Sequence, residues 1–315
     1  MSLMRSMIQG GSVGKVMNIQ HLEPVGWWHH AHSYVRGNWR REDESSFFLM
    51  AKACHDVDLI TYMMGDAKCT QVSSFGNLQL FNAENKPSGS ASRCLDCPVE
   101  ADCPYSAPKL YIEREGVGIR STGPDNVSSF VNALWSHEGA VQPDVPTVEN
   151  VTEALRNGPY GRCVFGGCDN DVVDNQVAIM EFETGATATL SVIACAEDVC
   201  IRKTRVMGSR GELVGDGDRT ITHFDFVTGE KKVLQADSAP EHTKLQGHTG
   251  ADFFLMQRFV KAVATNDPSL LLTGPTESLR SHRLVFAAER ARRQKQTIFP
   301  DDVAVEELLQ ELAMA

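Results

Sequence analysis

WRREDESSFFLMAKACHDVDLITYMMG, residues 39–65, is the stretch from which the rest of the chain can be read. Its middle has the apolar spacing of a helix of about five turns, with Leu49, Met50, Ala53, Cys54, Val57, Ile60 and Met64 on one arc of a 3.6-residue wheel. Lys52, His55, Asp56 and Asp58 fall on the opposite arc. Ser45 or Ser46 is placed to cap the start, and Gly65 stands where a helix would stop. One face is therefore expected to pack. The other presents an imidazole, the side chain that titrates near neutral pH, between an ammonium and carboxylates. That makes His55 a candidate acid–base residue, with Lys52 and Asp58 beside it; the alternative is a solvated helix face.

Around this helix lies the material of a globular fold. The chain has 315 residues, 42% hydrophobic and 23% charged, enough for a sizeable core in one or two domains. The formal net charge of −11 argues against a nucleic-acid partner, which needs basic patches. The densest basic run, Arg290, Arg292, Arg293 and Lys295, closes a helix and suits its dipole. No apolar run reaches the length of a membrane span, and the N-terminus has no apolar signal core. Nine cysteines without an export signal read as thiols or metal ligands in a reducing cytoplasm.

Upstream, Met1–Leu3 reads as a tag remnant and Arg5 to Gly11 as the tail of a helix, so that residues 1–12 form a lead-in. Val13 to Glu23 alternates like a strand. Gly26 to Arg41, GWWHHAHSYVRGNWRR, is aromatic, polar and glycine-punctuated. It is expected to form a loop on a pocket rim, with His32, Tyr34, Arg36 and Arg40 meeting substrate hydroxyls or an anion. Downstream, Cys69 to Phe81 reads as strand. Short helices are expected at 126–135 and 147–156. Gln176–Phe182 and Ala186–Ala194 flank a Glu-Thr-Gly turn; strands follow at 203–207, 212–214, 223–226 and 232–234. Helices are expected at Asp252–Thr265, Thr276–Gln294 and Val303–Met314. Hairpin-linked strands bracketed by helices predict an α+β fold, a large and mostly antiparallel open sheet with helices on one face. Residues 13–299 would form this domain, with a Cys-rich insertion at about 82–170, and 300–315 a tail helix.

Within the insertion, Cys94 and Cys97 are three apart, and Cys103 follows; Cys97 and Cys103 each precede proline. The spacing predicts a structural metal site, tetrahedral zinc first and an iron–sulfur cluster as the rival, with Cys163 or Cys168 as fourth ligand. Cys54, Cys69, Cys195 and Cys200 read as core. The acidic run Asp169, Asp171 and Asp174 reads as a turn with hydroxyl-binding carboxylates. Gly247-His248-Thr-Gly-Ala-Asp252 precedes a helix that Asp252 can cap. No strand–GxGxxG–helix passage occurs; Gly10–Gly14 and Gly208–Gly211 lack that setting.

The WR element, the HDVD run, GSRGEL and GHTGAD, in that order, resemble the C-terminal domain of the Gfo/Idh/MocA (glucose–fructose oxidoreductase, inositol dehydrogenase, rhizopine catabolism) family. The resemblance runs from Arg5 to about Gln294. It implies the glyceraldehyde-3-phosphate dehydrogenase-like C-terminal fold, and an NAD(P)-dependent oxidoreductase of a sugar, cyclitol or related polyol. It places His55 beside the nicotinamide and the substrate carbon, His248 and Asp171 near the substrate, and the sheet at a homodimer or larger interface. Many members carry an aspartate four residues before the histidine. Here that position is Ala51, so Lys52 or Asp58 must supply the charge. The family's N-terminal Rossmann domain, with its Glu-Lys-Pro motif, is expected to be missing from this chain, which leaves no cofactor-binding residue here and a chain inactive alone. Two other readings stay open: a non-catalytic sugar-binding or assembly module, and a metalloprotein centred on the cysteines.

Overall fold

Tight turns at Gly185 and Gly229, both with positive φ, reverse the chain where the sequence alternates on either side, and so antiparallel neighbours form. The computed structural model describes residues 1–217, 219–245 and 250–303. Its strands are β1 (Val16–Pro24), β2 (Cys69–Asn77), β3 (Asn175–Phe182), β4 (Thr187–Ile193), β5 (Lys203–Gly208), β6 (Gly211–Gly215), β7 (Thr220–Asp225) and β8 (Lys231–Gln235). They form one open sheet in the order β2-β3-β4-β1-β5-β6-β7-β8. Among the described strands only the β1–β4 pair is parallel. The helices are α1 (Ser2–Gln9), α2 (Trp27–His30), α3 (Phe48–Met64), α4 (Ile119–Thr122), α5 (Ser129–Asn132), α6 (Val148–Asn157), α7 (Ala251–Thr265) and α8 (Pro275–Gln294). This is the α+β open sheet that the sequence pattern predicts.

The period of two sorts each strand into two faces. Ile19, Ala178, Met180, Phe182, Ala188, Leu190, Val192 and Val206 point inward, where α3 and α8 cover them with Leu49, Ala53, Val57, Ile60, Val285 and Ala288. The opposite face carries Asn18, Gln20, Thr189 and Ser191, with exposed Phe75, Ile179, Val214, Phe224 and Val233 among them. Helix α7 keeps its apolar face outward: Met256, Phe259, Val260 and Val263 are exposed, and within the helix only Ala262 is buried. Its N-cap is Gly250, without the side-chain cap expected from Asp252. Among the described residues no helix is long and apolar enough to cross a membrane.

Three expectations are corrected. Helix α3 begins after Phe47 with no side-chain cap, because Ser45 instead donates its hydroxyl to Arg41 O at 2.7 Å. Gly65 does close the helix, with φ 70°, and a Cβ there would lie 2.6 Å from the Arg5 guanidinium. Second, the polar arc of α3 is only partly solvated: His55 is exposed, but Lys52 is 9% and Asp56 0% exposed. The latter two are four residues apart, so they share a face, and that face meets the end of β1. Third, Gly26–Arg41 is not a rim loop. Helix α2 runs into a wide π turn over Ala31–Arg36, and Trp28, His30, His32, Tyr34 and Arg36 are all buried. Packing on many sides overrides the local glycine signal. The segment between β2 and β3 forms a second core of Leu110, Tyr111, Val131, Leu155 and Tyr160, joined by Trp28 of α2. The expected tail helix lies outside the described residues.

Candidate functional site

Strand alternation places His21 and Glu23 on the inward face after Ile19, where apolar residues would be usual. Both are almost fully buried, and Lys52 and Asp56 of α3 meet them there. His21 donates Nε2–H to Asp56 Oδ1 at 2.9 Å, while its Nδ1 lies 2.8 Å from the Thr204 hydroxyl across the β1–β5 pair. Lys52 Nζ is 3.1 Å from Glu23 Oε1. Arg202, at the entry to β5, spans both carboxylates: its Nε is 2.5 Å from Asp56 Oδ1 and 3.3 Å from Glu23 Oε2. Four charged groups thus neutralise one another out of water, which is the condition for keeping any of them there.

The network reaches solvent at His55. Arg202 Nη2 contacts His55 Nε2. A guanidinium can only donate, so the imidazole nitrogen is the acceptor in this contact. Asp56 Oδ2 lies 3.4 Å from the same nitrogen, ready to accept from it when the ring is protonated. One ring nitrogen therefore has a partner in either protonation state, as acid–base work requires. The ring is 54% exposed, whereas Asp56 behind it is sealed off.

On the other flank, Lys52 Nζ lies 2.9 Å from Cys200 Sγ, and Cys200 Sγ lies 3.5 Å from His29 Nδ1. Cys200 has φ 58°, a left-handed conformation rare for a residue with a Cβ. Its N–H donates to Pro24 O at 2.7 Å, which ties this turn to the end of β1. Cys200 is thus no core thiol, and Cys195 is exposed; both depart from the apolar setting expected of them.

The charges shift one another. Burial pushes the Glu23 carboxyl up, and the Asp56 charge adds to this, against Lys52 and Arg202. Burial would also raise Asp56, but the His21 hydrogen bond and the Arg202 charge outweigh it and hold Asp56 below the usual carboxylate range. Burial, then the Lys52 charge, lowers His29 to about 4. Burial and the neighbouring His29 lower His30 and His32 to about 3. Burial raises the Cys200 thiol, with Lys52 opposing.

The structure brings together Lys52 and His55 and leaves the other sequence candidates elsewhere. Asp58 is half-buried further along α3, where its backbone carbonyl accepts from the Thr61 hydroxyl. Tyr34 is buried near the network and donates to Ala51 O at 3.5 Å. His32 sits in the second core, hydrogen-bonded to Tyr111 at 2.8 Å and stacked on Tyr160. Arg36 is buried among the cysteines. Arg40 makes a two-pronged pair with Asp169, and Asp171 accepts from Glu42 N–H, so these residues lock one loop to another. His248 lies outside the described residues. The single zinc expected at Cys94, Cys97, Cys103 and Cys163 finds no support, because among the described residues no three His, Cys, Asp or Glu side chains gather closely enough for one ion. Sequence reading missed Glu23, His21, Arg202, His29 and Cys200 as site residues. The legible signal was polar residues at inward positions of a strand.

Residues 5–299 match a family model described as the oxidoreductase family, C-terminal alpha/beta domain. No curated protein matches the sequence. Among solved structures, an oxidoreductase from Agrobacterium radiobacter in complex with NAD+, L-tartaric acid and magnesium is similar with TM-score 0.55 and 9% identity, over 96% of this chain and 62% of that one. Scyllo-inositol dehydrogenase from Lactobacillus casei, with bound NAD(H) and scyllo-inositol, is similar with TM-score 0.51 and 12% identity over 95% and 61%. Levoglucosan dehydrogenase, in complex with NADH and levoglucosan, is similar with TM-score 0.53 and 11% identity over 94% and 62%. At these identities the likeness is one of fold. This chain spans about three-fifths of the length of those proteins.

Proposed function

This chain belongs to the Gfo/Idh/MocA oxidoreductase family, whose C-terminal alpha/beta domain it carries, and from that premise we propose that it is the substrate-binding and pairing part of an NAD(P)-dependent oxidoreductase acting on a sugar, cyclitol or related polyol. The observation that supports this most is the position of His55, open to solvent and backed by Arg202 and the sealed carboxylate of Asp56. In this reading His55 takes the proton of the substrate hydroxyl. Asp56 and Arg202 are positioning residues that hold the ring and offset its change of charge. Lys52 stays buried against Glu23 and Cys200 and keeps the network neutral. A nicotinamide cofactor, when bound, would supply the hydride acceptor for the carbinol carbon.

Neither of the two glycine-rich runs makes a pyrophosphate cradle. Gly208–Gly211 is the turn between β5 and β6, and Gly10–Gly14 links α1 to β1, so neither opens a helix. NAD or NADP would then be held by a dinucleotide-binding domain outside these 315 residues. Pairing of two copies through the open sheet face is part of the proposal, supported by the exposed Phe75, Ile179 and Val233 on it.

The test is turnover in a protein that joins this chain to a dinucleotide-binding domain, assayed on a polyol panel including scyllo-inositol and levoglucosan. His55→Ala should lower kcat by roughly two to four orders of magnitude, the worth of a general base, and leave the circular dichroism spectrum intact. Unchanged turnover in that variant would remove His55 from the reaction.

A further inference from the structure

The sequence motif that the proposed reaction does not use is the cysteine cluster, and the fold places it around one cavity. Cys94, Cys97, Cys103 and Cys163 all line a cavity of about 160 Å³ in the segment between β2 and β3. Cys97 and Cys103 each sit just after a single 3-10 turn, with N–H bonds to Cys94 O and Glu100 O. The proline after each limits the backbone there. The fourth thiol arrives from far along the chain. An antiparallel bridge joins Arg93 to Arg162, and Cys163 N–H donates to Ser92 O at 2.8 Å, so Cys163 lies beside Cys94. Cys168 does not line the cavity; its thiol turns back to Cys163 O at 3.5 Å.

Arg36 also lines this cavity, and its charge demands an explanation. It is 1% exposed. Its Nε donates to Arg162 O at 2.9 Å and its Nη2 to Tyr105 O at 2.7 Å, with Cys94 Sγ at 3.5 Å. Its Nη1 has no hydrogen-bond partner. Among the described residues no carboxylate pairs with it. A guanidinium keeps its proton at any pH a protein meets, and a buried, unpaired cation costs several kcal/mol. Carbonyl dipoles answer the hydrogen bonds but not the charge. The carboxylates that line the cavity, Glu100 and Asp102, form no ion pair with Arg36 among the described residues, whereas Cys94 Sγ lies 3.5 Å from it; thiolates there would answer its charge, and buried thiolates in turn need a metal.

Size decides which kind of metal centre. One tetrahedral zinc, with Zn–S near 2.3 Å, would hold its sulfurs roughly 3.8 Å apart, and the side chains do not gather that tightly. A cluster interposes several irons and sulfides between its thiolates and needs them spread around a cavity. We propose that Cys94, Cys97, Cys103 and Cys163 ligate a [4Fe–4S] cluster, with Arg36 as its buried counter-charge. The segment Trp27–Arg36 carries His29 of the Lys52–Cys200 contact at one end and Arg36 at the other, so the cluster braces the same backbone that supports the candidate site. The assignment does not depend on the substrate proposed above.

The full chain is purified anaerobically from iron-supplied cells, and in parallel reconstituted with ferrous iron, sulfide and a thiol reductant. About four iron and four acid-labile sulfide per chain are expected, with a visible charge-transfer band that dithionite bleaches. Cys97→Ser and Cys163→Ser should lose both, whereas Cys168→Ser and Cys69→Ser keep them. Circular dichroism on each variant separates loss of the cluster from loss of the fold. Zinc as the bound metal, iron without sulfide, no metal in either preparation, or a cluster that survives Cys163→Ser in folded protein would each overturn the assignment.

Discussion

The buried histidines make a sharp prediction about acid stability. His30 is 0% exposed, with neither ring nitrogen hydrogen-bonded, and stacks on Phe81; His32 is 7% exposed. In the fold both titrate only at about 3. In the unfolded chain they titrate near 6.5, so below that pH the unfolded state holds more protons and stability falls as pH falls. Their contribution is complete above pH 6.5 and is lost on the way down to pH 3. Between pH 7 and pH 5 each costs about 2 kcal/mol, and the pair about 4 kcal/mol, a large part of the 5–15 kcal/mol that holds a typical domain. Replacing His30 by leucine removes one of these protons. The loss of unfolding free energy from pH 7 to pH 5, measured by urea titration at both pH values, should then shrink by about 2 kcal/mol. Cavity or strain effects of the substitution act equally at both pH values and cancel in the difference. An unchanged pH dependence in His30→Leu would mean that His30 takes up its proton in the fold at the same pH as in the unfolded chain, and the burial argument would fail.

Other outcomes follow from the same geometry. Asp56→Ala strands His21 and Arg202 in the interior and should cost roughly 3–5 kcal/mol in chemical denaturation; a loss under 1 kcal/mol would mean that the pairing is solvated. Gly65→Ala forces a Cβ at φ 70° into the Arg5 guanidinium and should lower stability by about 1–2 kcal/mol, seen as a fall in Tm. Calorimetric titration of this chain with NAD(H) and NADP(H) should give Kd no tighter than about 1 mM, since nicotinamide-side contacts alone do not repay immobilising a dinucleotide; micromolar binding would reveal a nucleotide site in this chain.

The alternation of apolar residues was enough to assign the strands, their hairpins and the two long C-terminal helices, because each such pattern needs only one apolar face and a turn residue. The same local logic failed where burial is decided from several sides at once. In α3 the wheel separates apolar from polar residues, but it cannot say that a second layer of polar residues waits on the sheet: Lys52 and Asp56 are buried because Glu23, His21 and Arg202 arrive from β1 and β5. Gly26–Arg41 reads as a loop because Gly26, Gly37 and the histidines between them are local signals. The helical, buried course of Trp27–Arg36 is imposed by Phe81, Tyr111, Phe130 and Tyr160 from distant parts of the chain. The cysteine spacing singled out Cys94, Cys97 and Cys103, since they lie within one short segment, and all three line one cavity. That Cys163 rather than Cys168 lines the same cavity follows from the Arg93–Arg162 bridge, a contact across 69 residues that no spacing rule contains. Sequence carries periodicity and short-range chemistry; the pairing of buried charges is a property of the packed chain, because each is tolerated only where its partners from elsewhere complete it.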